Sequence, residues 1–363
     1  MVWMTSTNPI ANMGADAPRL FRALKSVDFV VVNDLFMTPT AIAFADLVLP
    51  AAMSPERNSQ RCWWVPNRTL TKVTQYEECV SDDDLVTMVG KRLHPENFPW
   101  DDNVGWINHI FEHETNDELP YKSFEEAQKV VWSYPAFTYL KHEKGLLRPD
   151  GQPGFNTPSG RIELYNSIFA LWGYDPLPQW EEPSCSPYAS PELYEQYPFV
   201  LTTGARSVEF FHSEHRQLET SREFHPDPLF EMSPKAAEAA GLSEGDWCWL
   251  ENHRGRCRQK LHVNPSLDDR VVRAEHGWWF PETEGAEPNL YGVFDSNINN
   301  LTPQCENGDT GFGAPYANQL CRVYPCTEEN SRVLPGEQVT RRGGYSKVID
   351  ESNGDVKVGA IYG

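Results

Sequence analysis

Basic residues are scarce in this chain: 31 Lys and Arg stand against 52 Asp and Glu, a formal charge of −21 over 363 residues. Proteins that hold nucleic acid neutralise phosphates with a cationic surface, so that class is excluded. No apolar run approaches the ~20 residues that a membrane-crossing helix needs. The eight cysteines, at positions 62, 79, 185, 248, 257, 305, 321 and 326, include no C-x-x-C pair. That removes the usual ligand spacing of a zinc ribbon or an iron–sulfur cluster. Dispersed through so long a chain, they read as reduced structural thiols rather than a disulfide framework. No internal repeat is visible, and His212 and Ser213 stand outside any G-x-S-x-G context, which argues against a serine hydrolase. The opening, MVWMTSTNPIANMG, has neither a basic n-region nor a long apolar h-region and does not read as a signal peptide. It reads as a strand entering an Asn-Pro turn, as if the chain began inside a domain, and the compartment, cytoplasmic or periplasmic, stays open.

What is present suits a large enzyme. A hydrophobic content of 40%, 12 Trp and 29 Pro allow two domains joined by long irregular connections pinned by aromatic packing. Residues 1–50 alternate strand and helix: a strand at Val2–Ser6, a helix over Pro18–Ser26, a β-branched strand at Val27–Val32, a helix from Thr38 to Phe44, and a strand at Ala45–Leu49 stopped by Pro50. Such alternation predicts a parallel, Rossmann-like sheet buried on both faces, with ligand-binding positions just past strand C-termini. Helices are expected around 82–93, 103–114 and 123–132, and the Pro/Gly/Ser-rich stretch 151–195 reads as a linker. From Tyr197 the pattern changes to short strands, at 199–203, 246–252, 256–263 and 270–276, around one helix at 233–241. That predicts a small β-barrel over 196–330, and residues 331–363 are polar and weakly patterned, as in a flexible tail.

One metal pattern competes for attention. His109-Ile110-Phe111-Glu112-His113 matches the H-x-x-E-H signature of inverted zinc peptidases. Trp106, Ile107, Ile110 and Phe111 form the apolar stripe of that helix, however, and both histidines with Glu112 fall on the roughly opposite side. The segment therefore reads as a solvated helix face rather than a dry hydrolytic site. Cys248, His253 and Cys257 fit no metal spacing, and the strand cysteines read as small hydrophobes.

A series of short segments in fixed order carries more information. NPIANMG, then VDFVVVNDLFMTPTAIAFADLVLPAA, then ERN at 56–58 resembles the third domain of molybdopterin oxidoreductases of the dimethyl sulfoxide reductase family. FNTPSGRIELY (155–165) is similar to a further stretch of that family, with Arg161 in place of its Lys. LTTGAR (201–206), FFHSEHRQL (210–218), MSPKAAEAAGLSEGDWCWLENHRGRC (232–257), GWWFPE (277–282) and NNLT (299–302) resemble its C-terminal pterin-binding domain. The resemblance runs from Asn8 to about Val323. It implies a Rossmann-like portion (1–150), a linker, and a double-psi-like β-barrel. It implies molybdenum held by two molybdopterin guanine dinucleotides, acting on a small substrate beside an iron–sulfur electron-transfer subunit. The family's own [4Fe–4S] cluster and its molybdenum ligand have no counterpart in these residues, which points to the C-terminal part of a larger catalytic subunit. A non-catalytic binding or assembly partner is the alternative from another class, and a zinc hydrolase is a distant third.

A pterin dinucleotide presents amide-like edges, ribose hydroxyls and a diphosphate. Asp34, just past a strand end, can accept from a guanine amine or a ribose hydroxyl, or else cap the following turn. Thr38 and Thr40 can donate to phosphate or cap a helix, and Asn8 can close a turn or touch the cofactor. In Thr203-Gly204-Ala205-Arg206 the glycine allows close backbone approach, and Arg206 can bond a phosphate or pterin, or form a surface ion pair. The resemblance adds His212 and Ser213, Gly277 with Trp278 (or plain core packing for both Trp278 and Trp279), and the amides of Asn300 and Asn318, the last where the family often has Lys.

Overall fold

The computed structural model describes residues 1–12, 16–61, 68–113, 119–133, 138–177, 179–287, 289–303 and 317–331. The tail expected after Ser331, the Met13-Gly14 end of the first quoted segment, and Cys62 and Cys305 lie outside them. The architecture is mixed α/β, with a three-stranded parallel sheet and a closed six-stranded barrel. No described helix is long and apolar enough to cross a membrane. The chain forms two compact units. Unit 1 comprises residues 1–32, 37–47 and 181 onward, and unit 2 comprises 33–36 and 48–180.

Unit 1 opens with β1 (Val2–Thr5), α1 (Ala17–Lys25) and β2 (Val30–Asp34), whose end passes into unit 2, then α2 (Pro39–Phe44) and the first residue of β3 (Leu47–Pro50), the rest of which belongs to unit 2. The sheet order is β1-β2-β3. Strand β2 begins later than its β-branched run suggests. The Ser26 and Val27 amides close the last turn of α1 on the Ala23 and Leu24 carbonyls, and the Val30 amide donates to Asp46 Oδ2 at 2.7 Å. Val30, Val31, Val32 and Asn33 are all buried, as a strand covered on both faces requires. Asp16 caps α1 by accepting from the Arg19 amide, Thr38 caps α2 by accepting from the Ala41 amide, and Pro follows each cap within two residues. Phe21 packs edge-on against Phe294 with ring centroids 5.5 Å apart. Trp279, Leu290 and Val293 join the same core.

Unit 2 carries the hairpin β4 (Ser59–Arg61) and β5 (Arg68–Leu70), then α3 (Asp82–Leu93), α4 (Asn103–His113), α5 (Phe124–Ala127) and α6 (Ser167–Leu171). Helix α3 starts with three aspartates behind the Ser81 cap and ends in Lys91 and Arg92, complementing the helix dipole at both ends. Helix α5 is one turn where a longer helix is expected, because its Ser123 cap and Ala127 closure leave Gln128–Val130 in turns. Ile107 and Phe111 of α4 pack with Tyr121, Phe124 and Ala127.

Within unit 1 the barrel follows α7 (Pro191–Gln196). Its strands are β6 (Phe199–Ala205), β7 (Leu229–Met232), β8 (Trp247–Asn252), β9 (Gly255–Val263), β10 (Val271–Glu275) and β11 (Gln319–Pro325), interleaved with α8 (Glu219–Phe224), α9 (Pro234–Ala239) and α10 (Val293–Ser296). They close in the order β10-β6-β11-β8-β9-β7. β10 runs parallel to β6 and β7 parallel to β9, and the other described pairs are antiparallel. Leu201, Phe230, Leu250, Leu261 and Val272 fill the interior. Strands β7 and β11 escape the sequence pattern, since LFEM is short and QLCRVYP mixes Pro, Arg and Gln with its apolar residues. The described cysteines are free thiols, and Cys248, Cys257, Cys321 and Cys326 are buried. Burial pushes their thiols up, that of Cys326 to about 11, so they stay protonated and inert.

The barrel's central polar element is Arg258, whose Nε and Nη2 donate to Asp295 Oδ2 at 2.7 and 2.5 Å, with both side chains 1% exposed. Removing one partner of such a pair strands a buried charge. Asp295→Ala should therefore lower stability by about 3–5 kcal/mol in equilibrium denaturation, whereas the double replacement Arg258→Met with Asp295→Leu should recover most of that loss.

Candidate functional site: a histidine-lined rim of unit 1

The end of β6 and the segment after β10 meet at one edge of the barrel. Gly204 lies near the end of β6 with φ +87°, a backbone conformation that L side chains rarely adopt, and among the described residues no atom beyond its chain neighbours lies within 4 Å of where a Cβ would sit. The backbone is thus bare toward open space. Across the parallel β6–β10 pairing, Ala205 stands opposite Glu275, which places His276 beside it. His276 Nδ1 lies 3.2 Å from the Ala205 carbonyl, an obligatory acceptor, so that nitrogen carries the hydrogen. His276 Nε2 is then an acceptor for His212 Nδ1–H at 2.9 Å. That leaves a lone pair on His212 Nε2, toward which Arg206 Nη2 donates at 3.5 Å. The order Arg206, His212, His276, Ala205 carbonyl is fixed in one direction, with both imidazoles neutral.

Electrostatics favour the same state. Burial first, and then neighbouring cations, lower both histidines below their ordinary 6.5. Arg216 sits behind the pair at 1% exposure, its guanidinium 3.7 Å from the Phe210 ring centre and 4.5 Å from that of Trp278. Its Nη2 donates to the His276 carbonyl at 3.3 Å. Burial pulls it down to about 9, which leaves it charged at neutral pH.

His212 has φ 54°, a strained value for a residue with a Cβ, and Gly277 makes the turn possible. A Cβ on Gly277 would meet the His212 carbonyl carbon and oxygen at 2.8 Å. The next residue, Ser213, accepts from Trp279 Nε1 through its carbonyl at 2.8 Å. Its hydroxyl lies 3.5 Å from Asn8 Nδ2. Asn8 Oδ1 in turn accepts from the Thr40 hydroxyl at 2.7 Å. The N-terminal loop and the barrel rim therefore share one hydrogen-bonded surface inside unit 1.

The structure brings Asn8, Gly204, Arg206, His212, Ser213 and Gly277 together. Thr203 precedes them on β6, half-buried. Trp278 is wholly enclosed, edge-on to Phe210 and Phe280. Thr38 is engaged as the cap of α2. Asp34 ends β2 in unit 2, half-buried, with Oδ1 accepting from the Leu35 amide at 2.7 Å. Asn300 is buried and donates to the Phe294 carbonyl at 2.9 Å. It lines a separate cavity of about 330 Å³ with Asp16, Arg22, His253, Arg254 and Thr302. Asn318 stands just before β11, half-buried. Sequence reasoning missed His276 and Arg216. For His276 a usable cue existed, because it follows a strand end as Arg206 does. For Arg216 none did, because an isolated Arg in a loop reads as surface.

This arrangement can donate hydrogen bonds to an electron-rich ligand through the exposed Arg206, braced by the buried Asn8–Ser213 pair, while excluding a protonated imidazole. Such a rim suits an anion or an acceptor-rich heterocycle, and comparison with known proteins names the family. Residues 199–320 match the Molydopterin dinucleotide binding domain and residues 1–60 match Molybdopterin oxidoreductase. The chain belongs to the dimethyl sulfoxide reductase family of molybdopterin oxidoreductases. It is 34% identical over 321 residues to an acetylene hydratase of Syntrophotalea acetylenica, covering 86% of this chain and 42% of that protein. It is 27% identical over 401 residues to a dopamine dehydroxylase of Eggerthella lenta, covering 91% and 38%. The solved acetylene hydratase from Pelobacter acetylenicus superposes with a TM-score of 0.76 at 29% identity, over 89% of this chain and 44% of that one. The chain thus spans about two fifths of the length of these relatives.

Because both histidines are lowered below 6.5, the unfolded chain takes up protons first as pH falls. Their contribution to stability is complete above about pH 6.5 and is lost below it. Denaturation midpoints measured from pH 8 to pH 5 should decline less steeply for His276→Asn than for the parent chain. Parallel declines would show that the pair is not linked to folding.

Proposed function

We propose that this chain is the C-terminal part of the catalytic subunit of a molybdenum bis(molybdopterin guanine dinucleotide) enzyme, and that the rim at Gly204, Arg206, His212 and Ser213 holds a pterin. The observation that carries this reading is the bare, positive-φ Gly204 set against a fixed line of donors, a cradle that suits a flat ligand rich in acceptors. When bound, the molybdenum–pterin group supplies two-electron chemistry, with transfer of an oxygen atom or hydroxyl in a reductase- or dehydroxylase-type reaction on a small substrate. The work of this chain's residues is to bind and orient. Arg206 donates to pterin or phosphate oxygens. The neutral His212–His276 pair holds Arg206 in place and denies the rim a titratable proton near neutral pH. Asn8 and Ser213 present hydroxyl and amide groups.

Asp34 is proposed as an acceptor for guanine amines or ribose hydroxyls, and Asn318 as an amide contact. Similarity to an acetylene hydratase, a dopamine dehydroxylase and trimethylamine-N-oxide reductases supports the reaction class. The molybdenum ligand and a [4Fe–4S] cluster belong, in this reading, to the part of the enzyme that lies outside these residues. An iron–sulfur subunit is the proposed electron partner.

A charge-assisted hydrogen bond contributes ~1.5–3 kcal/mol net, so Arg206→Ala and Asp34→Ala should each weaken cofactor retention by roughly one to two decades. Molybdenum and guanine-nucleotide content of the reconstituted full-length enzyme measures this directly. Normal content in both variants, with lower thermal stability instead, would assign them structural roles.

A further inference from the structure

Within unit 2, and apart from the rim, the last turn of α4 gathers His109, Glu112 and His113, one ligand atom of each lying within 4.8 Å of the others. The spacing i, i+3, i+4 puts all three on one helical face. The imidazole rings of His109 and His113 stand 4.1 Å apart between centres. Two further features separate this cluster from an ordinary solvated surface. First, His113 Nδ1 lies 2.8 Å from the His109 carbonyl. The carbonyl can only accept, so Nδ1 holds the hydrogen and Nε2 keeps its lone pair, the tautomer that metal-binding histidines adopt when the other ring nitrogen is engaged. Second, His109 is held by aromatic neighbours, with the Trp100 ring centre at 4.9 Å and that of Trp106 at 6.1 Å. Its rotamer freedom is spent before any ion arrives.

We infer that His109, Glu112 and His113 form a binding site for a borderline divalent transition-metal ion of the zinc class. Two imidazoles and a carboxylate are a suitable donor set for such an ion. Glu112 is exposed and can rotate toward the two imidazoles, while His113 keeps its bond to the His109 carbonyl. Water would complete the coordination. Because the site faces solvent, its role is to clamp the end of α4 or capture an ion rather than to carry out buried hydrolysis, and it is independent of the pterin reading.

The test is calorimetric titration of the full chain with zinc chloride, with thermal melting in parallel. One equivalent should bind saturably and raise the melting temperature. His109→Ala and His113→Ala should each weaken binding by about ten-fold or more. Glu112→Gln should weaken it less, and Cys79→Ser, which removes a half-exposed thiol, should leave it unchanged. Circular dichroism of each variant without metal should match the parent, since Glu112 and His113 are exposed and His109 is only half-buried. Absence of saturable binding, or binding that survives loss of both histidines, would overturn the proposal.

Discussion

Much of unit 1 depends on one requirement, that buried amides and carbonyls in irregular backbone find partners. The segment from Asp295 to Asn300 is almost wholly enclosed, yet it is built from single helical turns that leave many polar groups unpaired. Asn297 answers by donating to the Ala11 carbonyl at 2.5 Å, across 286 residues of sequence, and its own oxygen caps the Asn299 amide. Asn299 donates to the Asn12 carbonyl at 3.3 Å, and the Asp16 amide donates to Thr302 at 2.7 Å. An apolar core alone would allow the N-terminal loop to slide, whereas these bonds have one register. Asn8 sits within that loop, so its position against Ser213 follows from them.

The rim illustrates how strand pairing and imidazole tautomers keep a polar site rigid. His276 is placed by strand pairing, its tautomer by a backbone carbonyl, and His212 by His276. Arg216 adds a desolvated positive charge from beneath, which works against protonation of His276, as Arg206 does for His212. A buried guanidinium with so few acceptors is costly, and its two aromatic neighbours offset part of that cost through cation–π contact. The resulting surface is preorganised to donate rather than to titrate, a useful property where a negatively charged, acceptor-rich ligand has to be held.

A good deal of this was legible in the sequence. The β-branched run at Val30–Val32, the Pro-led helices after Asp16, Thr38 and Ser233, and the alternating strands of the barrel are written in local periodicity and capping chemistry. The glycine and arginine of Thr203-Gly204-Ala205-Arg206 could be singled out because a glycine at the end of an apolar run lets a ligand approach the backbone closely. By contrast, the length of α5, the short strand β7 and the mixed strand β11 were obscure, since their limits are set by what they pack against. Thr38 and Trp278 show the opposite difficulty. Residue type suited both a ligand contact and a structural task, and the fold engages the first as a helix cap and encloses the second among aromatic rings.

What the sequence determined by itself was therefore the set of elements and the chemical character of their ends, because helix caps, strand alternation and positive-φ glycines depend on neighbours a few residues away. Tertiary structure alone decided that His212 meets His276, that Asn297 reaches Ala11, that Arg216 is buried, and that six strands close in the order β10-β6-β11-β8-β9-β7. Those pairings join residues tens to hundreds of positions apart. Asparagine, histidine and arginine in loops carry no periodicity that foretells a partner, and their roles are set only when packing removes water and obliges each polar atom to find another.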